Sequence, residues 1–276
     1  MSLATLRDVL EPARTGGYAV AGLVVLGWED ARAYVDAAVA ENAPVILQAG
    51  PGCRAHTPLP VLAAMFQNLA QSAPVPVVAH LAHGQSIAEC RAALDAGFSS
   101  IMYDGSRLSL EDNIAATRAV VDLGHAAGVS VEGEIGFVGY ARGEVSQSTG
   151  ADEAERFAAE TGVDAMAVSV GNTHLMERVG AEIDFPAVAA IEARTEIPLV
   201  IHGGSGIPVA VRQRLSRETA VSKFNIGTEL RQTFGSALKQ GLAARPDRFD
   251  RIAILKETVA PLRDAARTII SALYRP

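Results

Sequence analysis

The chain predicts an α/β fold, a (β/α)8 TIM barrel with extra C-terminal helices. Three observations carry that expectation. A unit of apolar helix, glycine and short β-branched run recurs at roughly 30-residue spacing, the length of one βα unit. It stands as RAALDAGFSSIMYDG, VVDLGHAAGVSVEGE and RFAAETGVDAMAVSV, and with proline in place of the glycine in IEARTEIPLVIHGG. Eight β-type runs fit within the 276 residues, close to the typical size of about 250 for such a barrel. Finally, PVILQ, VPVVA and PLVI are continuously apolar rather than alternating, as parallel strands covered on both faces require.

Taken in order, the runs YAVAGLVV (near 18–25), PVILQA (44–49), PVVAHL (76–81) and SSIMYD (99–104) give the first four strands. VSVEGE (129–134), DAMAVS (164–169), PLVIH (198–202) and AVSKFNI (220–226) give the rest, and a helical pattern follows each. Gly97, Gly128 and Gly162 fall just past helix ends, where a left-handed cap favours a residue without Cβ. Ser86-Ile-Ala-Glu89 reads as a capping box, and Asp184 before Pro186 reads as a helix start. Gly-Pro-Gly-Cys-Arg after the second strand reads as a loop, with Cys53 a structural thiol. The stretch beyond Arg245 predicts one or two amphipathic helices that pack under the barrel or against another subunit. No linker interrupts the chain, so we expect one domain over 1–276, with the barrel over about 18–243 and the extension over about 246–276. A doubly wound sheet is the rival, but no strand is followed by GxGxxG and an acidic residue.

Composition excludes several classes. With 49% hydrophobic residues the chain is not a disordered polypeptide. Twenty-four basic against 31 acidic residues give a net charge of −7 with no basic cluster, which argues against nucleic-acid binding. Two cysteines make no disulfide framework. The start, MSLATLRDVLEPARTGG, lacks the pattern of a signal peptide, and the most apolar stretch, Tyr18 to Leu26, is far short of the ~20 residues of a membrane span. We expect a soluble, cytoplasmic protein.

Active sites of such barrels lie at the C-terminal ends of the strands. Four of the six histidines fall there: His80 and His83 at strand 3, His174 after strand 6 and His202 ending strand 7. Asp104 ends strand 4, while Glu132 and Glu134 share one face of strand 5. Three neutral imidazoles with an open position are what a catalytic zinc requires. His202-Gly-Gly-Ser-Gly206 and Asn225-Ile-Gly-Thr228 follow strands 7 and 8, the loops that cradle phosphate in many such barrels.

In order along the chain, VPVVAHLAHG, GFSSIMYDGS, VSVEGEIG, VDAMAVSVGNTH, PLVIHGGSG and KFNIGTEL resemble the motifs of the class II, zinc-dependent ketose-bisphosphate aldolases. The fructose- and tagatose-bisphosphate branches are nearest, and the likeness runs from about Tyr18 to Leu230. The resemblance implies reversible aldol cleavage of a phosphorylated ketose or close analogue to dihydroxyacetone phosphate and an aldehyde, through a zinc-stabilised enediolate. It implies one zinc per subunit on His83, His174 and His202, with room for a monovalent cation, and a homodimer or homotetramer. Gly203, Ser205, Asn225, Gly227 and Thr228 take the phosphate-binding positions; Asp104 and Glu134 offer an alternative metal position or support for its ligands.

Four departures stand out. Ala82 occupies the place of the aspartate that handles the carbinol proton, and Val24 that of a substrate-contacting asparagine. Arg142 replaces the loop glutamate, with Glu144 two residues on, and Leu175 replaces a glycine after His174. Proton transfer then falls to Glu144, Glu134 or His80, while Arg142 recognises a carboxylate or second phosphate of the substrate. Two other readings stay open: a diverged metal-dependent lyase or isomerase with a different substrate, and a catalytically silent paralogue that binds metal and sugar phosphate.

Overall fold

A closed barrel of eight parallel strands in chain order forms the centre of the molecule, in a computed structural model that describes residues 3–274. The strands are β1 (Val20–Val24), β2 (Val45–Ala49), β3 (Val77–Gly84), β4 (Ser100–Tyr103), β5 (Ser130–Ile135), β6 (Ala165–Val168), β7 (Leu199–Ile201) and β8 (Val221–Ile226). Each overlies one of the eight expected runs, and β8 closes on β1. The helices are α1 (Leu6–Gly16), α2 (Trp28–Glu41), α3 (Pro51–His56), α4 (Leu59–Ser72), α5 (Ile87–Ala96) and α6 (Leu110–Ala126). They continue as α7 (Ala151–Thr161), α8 (Phe185–Glu192), α9 (Val209–Glu218), α10 (Thr228–Ala244) and α11 (Arg251–Tyr274).

Alternation along the strands divides the apolar side chains into two sets. Ala21, Val45, Leu47, Val77, Ala79, Met166 and Ile201 face the helical shell. Val20, Ile46, Val78, Ala165, Ala167 and Val200 face the barrel axis. Residues two further along the same faces, such as His80 and His202, therefore point inward nearer the mouth, where the chemistry collects.

The floor is closed by α1, an element the sequence reading did not identify. Leu6, Val9, Leu10 and Ala13 form one stripe of this helix and pack on the inward set of barrel residues. Its start is a full capping box: Asp8 N donates to Thr5 Oγ1 at 3.2 Å and Thr5 N donates to Asp8 Oδ2 at 2.8 Å. The C-terminal extension is a single helix, α11, and within this chain it packs not under the barrel but on the outer wall against α2 and α10. Gly97 and Gly162 cap helices with φ of +94° and +71° as expected. The segment after β2 is helical (α3) rather than a loop, started by Pro51 in its first turn. Ser86 caps α5 by accepting from Glu89 N, but the reciprocal half of the box is missing because Glu89 serves Gln85 N and Arg54 instead.

Leu10 is fully buried between helix and floor. Leu10→Ala is expected to lower the unfolding free energy by about 2–5 kcal/mol, read from urea denaturation, without changing the metal affinity of the mouth.

Candidate active site

The mouth of the barrel brings three imidazoles together. Nitrogen atoms of His83, His174 and His202 all lie within 4.8 Å of one another. The ring centroids are 4.7 Å apart for His83–His202, 5.2 Å for His83–His174 and 5.5 Å for His174–His202. His83 holds a left-handed φ of +52°, which costs a non-glycine residue roughly 1–2 kcal/mol. It sits where pairing between β3 and β4 slips between Leu81 and Gly84, and that irregularity extends β3 beyond its expected end.

Partners on two of the rings, His83 and His202, settle which of their nitrogens is free. His83 Nδ1 lies 2.7 Å from Asp104 Oδ2, and His202 Nε2 lies 3.1 Å from Glu132 Oε1. A carboxylate only accepts, so each of those ring nitrogens carries the proton and the opposite nitrogen keeps its lone pair. For His202 that opposite atom, Nδ1, is buried without a hydrogen-bond partner, and so is Glu134 Oε2, 3.3 Å away. Two buried acceptors facing each other need a proton or a cation between them.

The electrostatics agree. Burial pushes His174 well below the usual imidazole range and His202 down to about 4, so both rings are neutral at pH 7. Burial would raise the Glu132 carboxyl, but the Lys223 ammonium and the adjacent imidazoles hold it well below its ordinary value. Asp104 is held down against its own burial by its bond to His83. Glu134 moves the other way, raised well above its ordinary value by burial and by Asp104 and Glu132. Three imidazoles, two carboxylates within reach and an unpartnered nitrogen form a donor set that fits a divalent cation. His83, Asp104 and Glu134 form a second group with ligand atoms within 4.8 Å of one another.

The second feature of the mouth is built by the loops after β7 and β8. Gly203 adopts φ +67°, and a Cβ there would fall 2.1 Å from Thr173 O. A 3-10 turn over Gly204–Gly206 follows, and Ser205 Oγ accepts from Gly227 N and Glu229 N at 3.3 Å each. The hydroxyl therefore caps α10, whose own N-cap, Gly227, has no side chain to do so. Asn225 Oδ1 accepts from Gln48 Nε2 at 3.0 Å, across a gap kept open by the absence of a side chain at Gly22. Gly203, Ser205, Asn225, Gly227 and Thr228 line one cleft together with His83 and His174. Such a cluster of backbone N–H groups at a helix start suits an anion.

A sequence profile described as fructose-bisphosphate aldolase class-II matches residues 4–275. This chain belongs to the class-II fructose-bisphosphate aldolase family. It is similar to a fructose-bisphosphate aldolase of Geobacillus stearothermophilus, 34% identical over 284 residues, covering 100% of this chain and 96% of the relative. A 6-phospho-5-dehydro-2-deoxy-D-gluconate aldolase of Shouchella clausii is 36% identical over 268 residues, with 94% and 90% covered. Among solved structures, the YdjI aldolase of Escherichia coli K12 superposes with a TM-score of 0.87 at 31% identity, over 98% of this chain and 97% of that one. Metal-dependent aldol cleavage, a carbon–carbon lyase reaction, is the general activity of the class-II aldolase family.

Not every expected residue of an aldolase site reaches this cleft. His80 does not: it is fully buried beneath the mouth, its Nδ1 2.8 Å from Ser100 Oγ and its Nε2 3.3 Å from Lys223 Nζ. It belongs to the buried polar layer and is in no position to meet a substrate. Glu144 is exposed and tied to Arg107, and Arg142 is exposed and 3.1 Å from Glu177. Both line a side groove next to the cleft. Ala82, Val24 and Leu175 all line the cleft itself, so the departures from the family pattern lie where substrate would sit. Cys53 lines it too, but burial pushes its thiol up to about 11, in keeping with an unreactive sulfur.

Two cleft residues escaped the sequence reading. Arg231 stands one turn into α10, beside the phosphate-type loops, and its spacing from Thr228 was the available signal. Tyr140 stacks on His174 with centroids 5.0 Å apart and an interplanar angle of 28°. Its place depends on a backbone bridge in which His174 N donates to Gly139 O and Ala141 N donates to His174 O.

Because His202 titrates near 4 when folded and near 6.5 when unfolded, the unfolded chain binds more protons between those values. The contribution of His202 to the stability of the metal-free protein is therefore full above about pH 6.5 and is lost as pH falls toward 4, by up to about 3 kcal/mol, while the raised Glu134 carboxyl acts in the opposite direction. His174 adds in the same direction as His202. Urea midpoints across this range check it, and His202→Gln is expected to flatten the profile.

Proposed function

We propose that this chain is a zinc-dependent aldolase that cleaves a phosphorylated ketose or close analogue to dihydroxyacetone phosphate and an aldehyde. The observation that carries the reading is the bare, buried Nδ1 of His202, in a ring grouped with His83 and His174 beside an anion cradle. Zinc suits three imidazoles, and the chemistry it supplies when bound is Lewis acidity toward substrate oxygens that gain negative charge as the carbon–carbon bond breaks.

The side chains divide the remaining tasks. Glu132 and Asp104 hold protons on the outer nitrogens of His202 and His83, keeping the inner ones available. The N–H groups at Gly203 and Thr228, with Ser205, Asn225 and the Arg231 guanidinium, hold the substrate phosphate, and Gly227 leaves room for it. Glu134 is the buried carboxyl with a raised affinity for protons, so it is the group to carry one next to the metal position. Glu144 and Arg142 serve once the tip of the strap from Phe137 to Gln147 folds inward, a movement that breaks their exposed ion pairs, which water and salt weaken, while the backbone bridge to His174 anchors the strap's base.

A second reading is favoured by Arg107 and Arg142 beside the cleft and by the likeness to an aldolase named for a phosphorylated sugar acid. In it the far end of the substrate bears a carboxylate that these guanidinium groups recognise.

The test is metal analysis of the purified protein beside a retro-aldol assay over phosphorylated ketoses with and without a terminal carboxylate. Release of dihydroxyacetone phosphate that a chelator abolishes and zinc restores is the expected result. Bound zinc with no turnover of any member of the panel overturns it. Ala82→Asp is expected to raise cleavage of ordinary ketose bisphosphates, within the 10²–10⁴-fold range of a general acid–base group. No gain, with the sugar phosphate shown to bind, counts against a lost proton-transfer group.

A further inference from the structure

We infer that Arg54, set behind the cleft wall on α3, is a positioning residue that shapes the backbone carrying the metal ligand His83. The inference rests on the metal-centre reading above and deepens it.

Register between β3 and β4 breaks between Leu81 and Gly84, and pairing of β3 with β2 ends at Ala49 opposite Leu81. The carbonyls of Ala82 and His83 thus leave the ladder on both sides, together with that of Ala49 at the end of β2. Buried carbonyls need donors. Arg54 supplies them. Its Nη1 donates to Ala49 O at 2.7 Å and to Ala82 O at 2.6 Å, and its Nη2 donates to His83 O at 3.0 Å. Nε donates to Glu89 Oε1 at 2.8 Å, and Nη2 lies 2.8 Å from the same oxygen. Every N–H of the guanidinium faces an acceptor, and the side chain is only 8% exposed.

The other oxygen of Glu89 accepts from Gln85 N at 2.9 Å. One ion pair therefore grips the chain on both sides of His83, whose left-handed φ no regular strand would impose. This curvature turns the ring so that Nδ1 meets Asp104 and a ring nitrogen lies within 4.8 Å of nitrogens of His174 and His202. A lysine cannot substitute, because three donors on a single nitrogen cannot span three carbonyls and a carboxylate.

The experiment uses the full chain, stripped of metal and titrated with Co²⁺, whose visible bands report ligand number and geometry, with melting temperatures of the metal-free forms alongside. Arg54→Lys is expected to bind Co²⁺ 10–100-fold more weakly, the range for residues that orient metal ligands, with altered bands. At saturating metal its KM stays that of the unaltered protein, since Arg54 does not line the cleft. Glu89→Gln is expected to show a smaller loss in the same direction. If Arg54→Lys does not fold, Glu89→Gln decides, and wild-type affinity and spectrum in that variant overturn the inference. Equal affinity in Arg54→Lys, or a lower melting temperature with unchanged Co²⁺ binding, also overturns it. Failure of the unaltered protein to bind Co²⁺ sinks the metal-centre reading itself, a distinguishable result.

Discussion

Everything chemical at the barrel mouth depends on a proton held on the outer side of His202. Lys223, fully buried, pairs with Glu132, and Glu132 in turn accepts from His202 Nε2. Removing a lysine and a glutamate from water is costly, and the pair is tolerable because each satisfies the other and a histidine takes the remaining acceptor. The outcome is a neutral imidazole of defined tautomer, turned lone pair first toward its two neighbours. Were Glu132 not ionised, the ring could flip its proton inward and the donor set would lose a member.

The polar layer and the cleft above it have different tolerances. Beneath the mouth, His80, Glu132, Lys223 and Ser100 satisfy one another, so any change leaves a buried group unpartnered. In the cleft, Val24, Ala82 and Leu175 stand where the family resemblance implies an asparagine, an aspartate and a glycine. Replacing a solvent-lined polar group by an apolar one strands no partner. The scaffold of the aldolase family is kept while the cleft surface is less polar than the family resemblance implies.

Much of the fold was legible because strand alternation, helix caps and the βα period are local properties. All eight strands lay where β-type runs lay. The capping box of α1 and its Leu6, Val9, Leu10, Ala13 stripe were also present in the sequence, and α1 was overlooked because the first residues were read only for a leader. The histidine triad is a different matter. Counting by twos along β3 turns His80 toward the axis and His83 away from it, the reverse of what the cleft needs. Only the slip in register, with a left-handed residue, brings His83 round. Alternation could not reveal that; the resemblance of motifs could. For the same reason His80 lies below the cleft rather than in it, and Arg54, whose bonds to Ala82 O and His83 O exist only because of the slip, carries no signal in the sequence.

The helix under the barrel has a consequence for how the chain folds. Residues 6–16 rest on β1, β5, β6 and β8, the last of these some two hundred residues later in the chain. Until β8 is in place, part of the greasy side of this helix stays uncovered, and the cylinder stays open between β8 and β1. Closure of the cylinder and full docking of its base therefore belong to one late, long-range event.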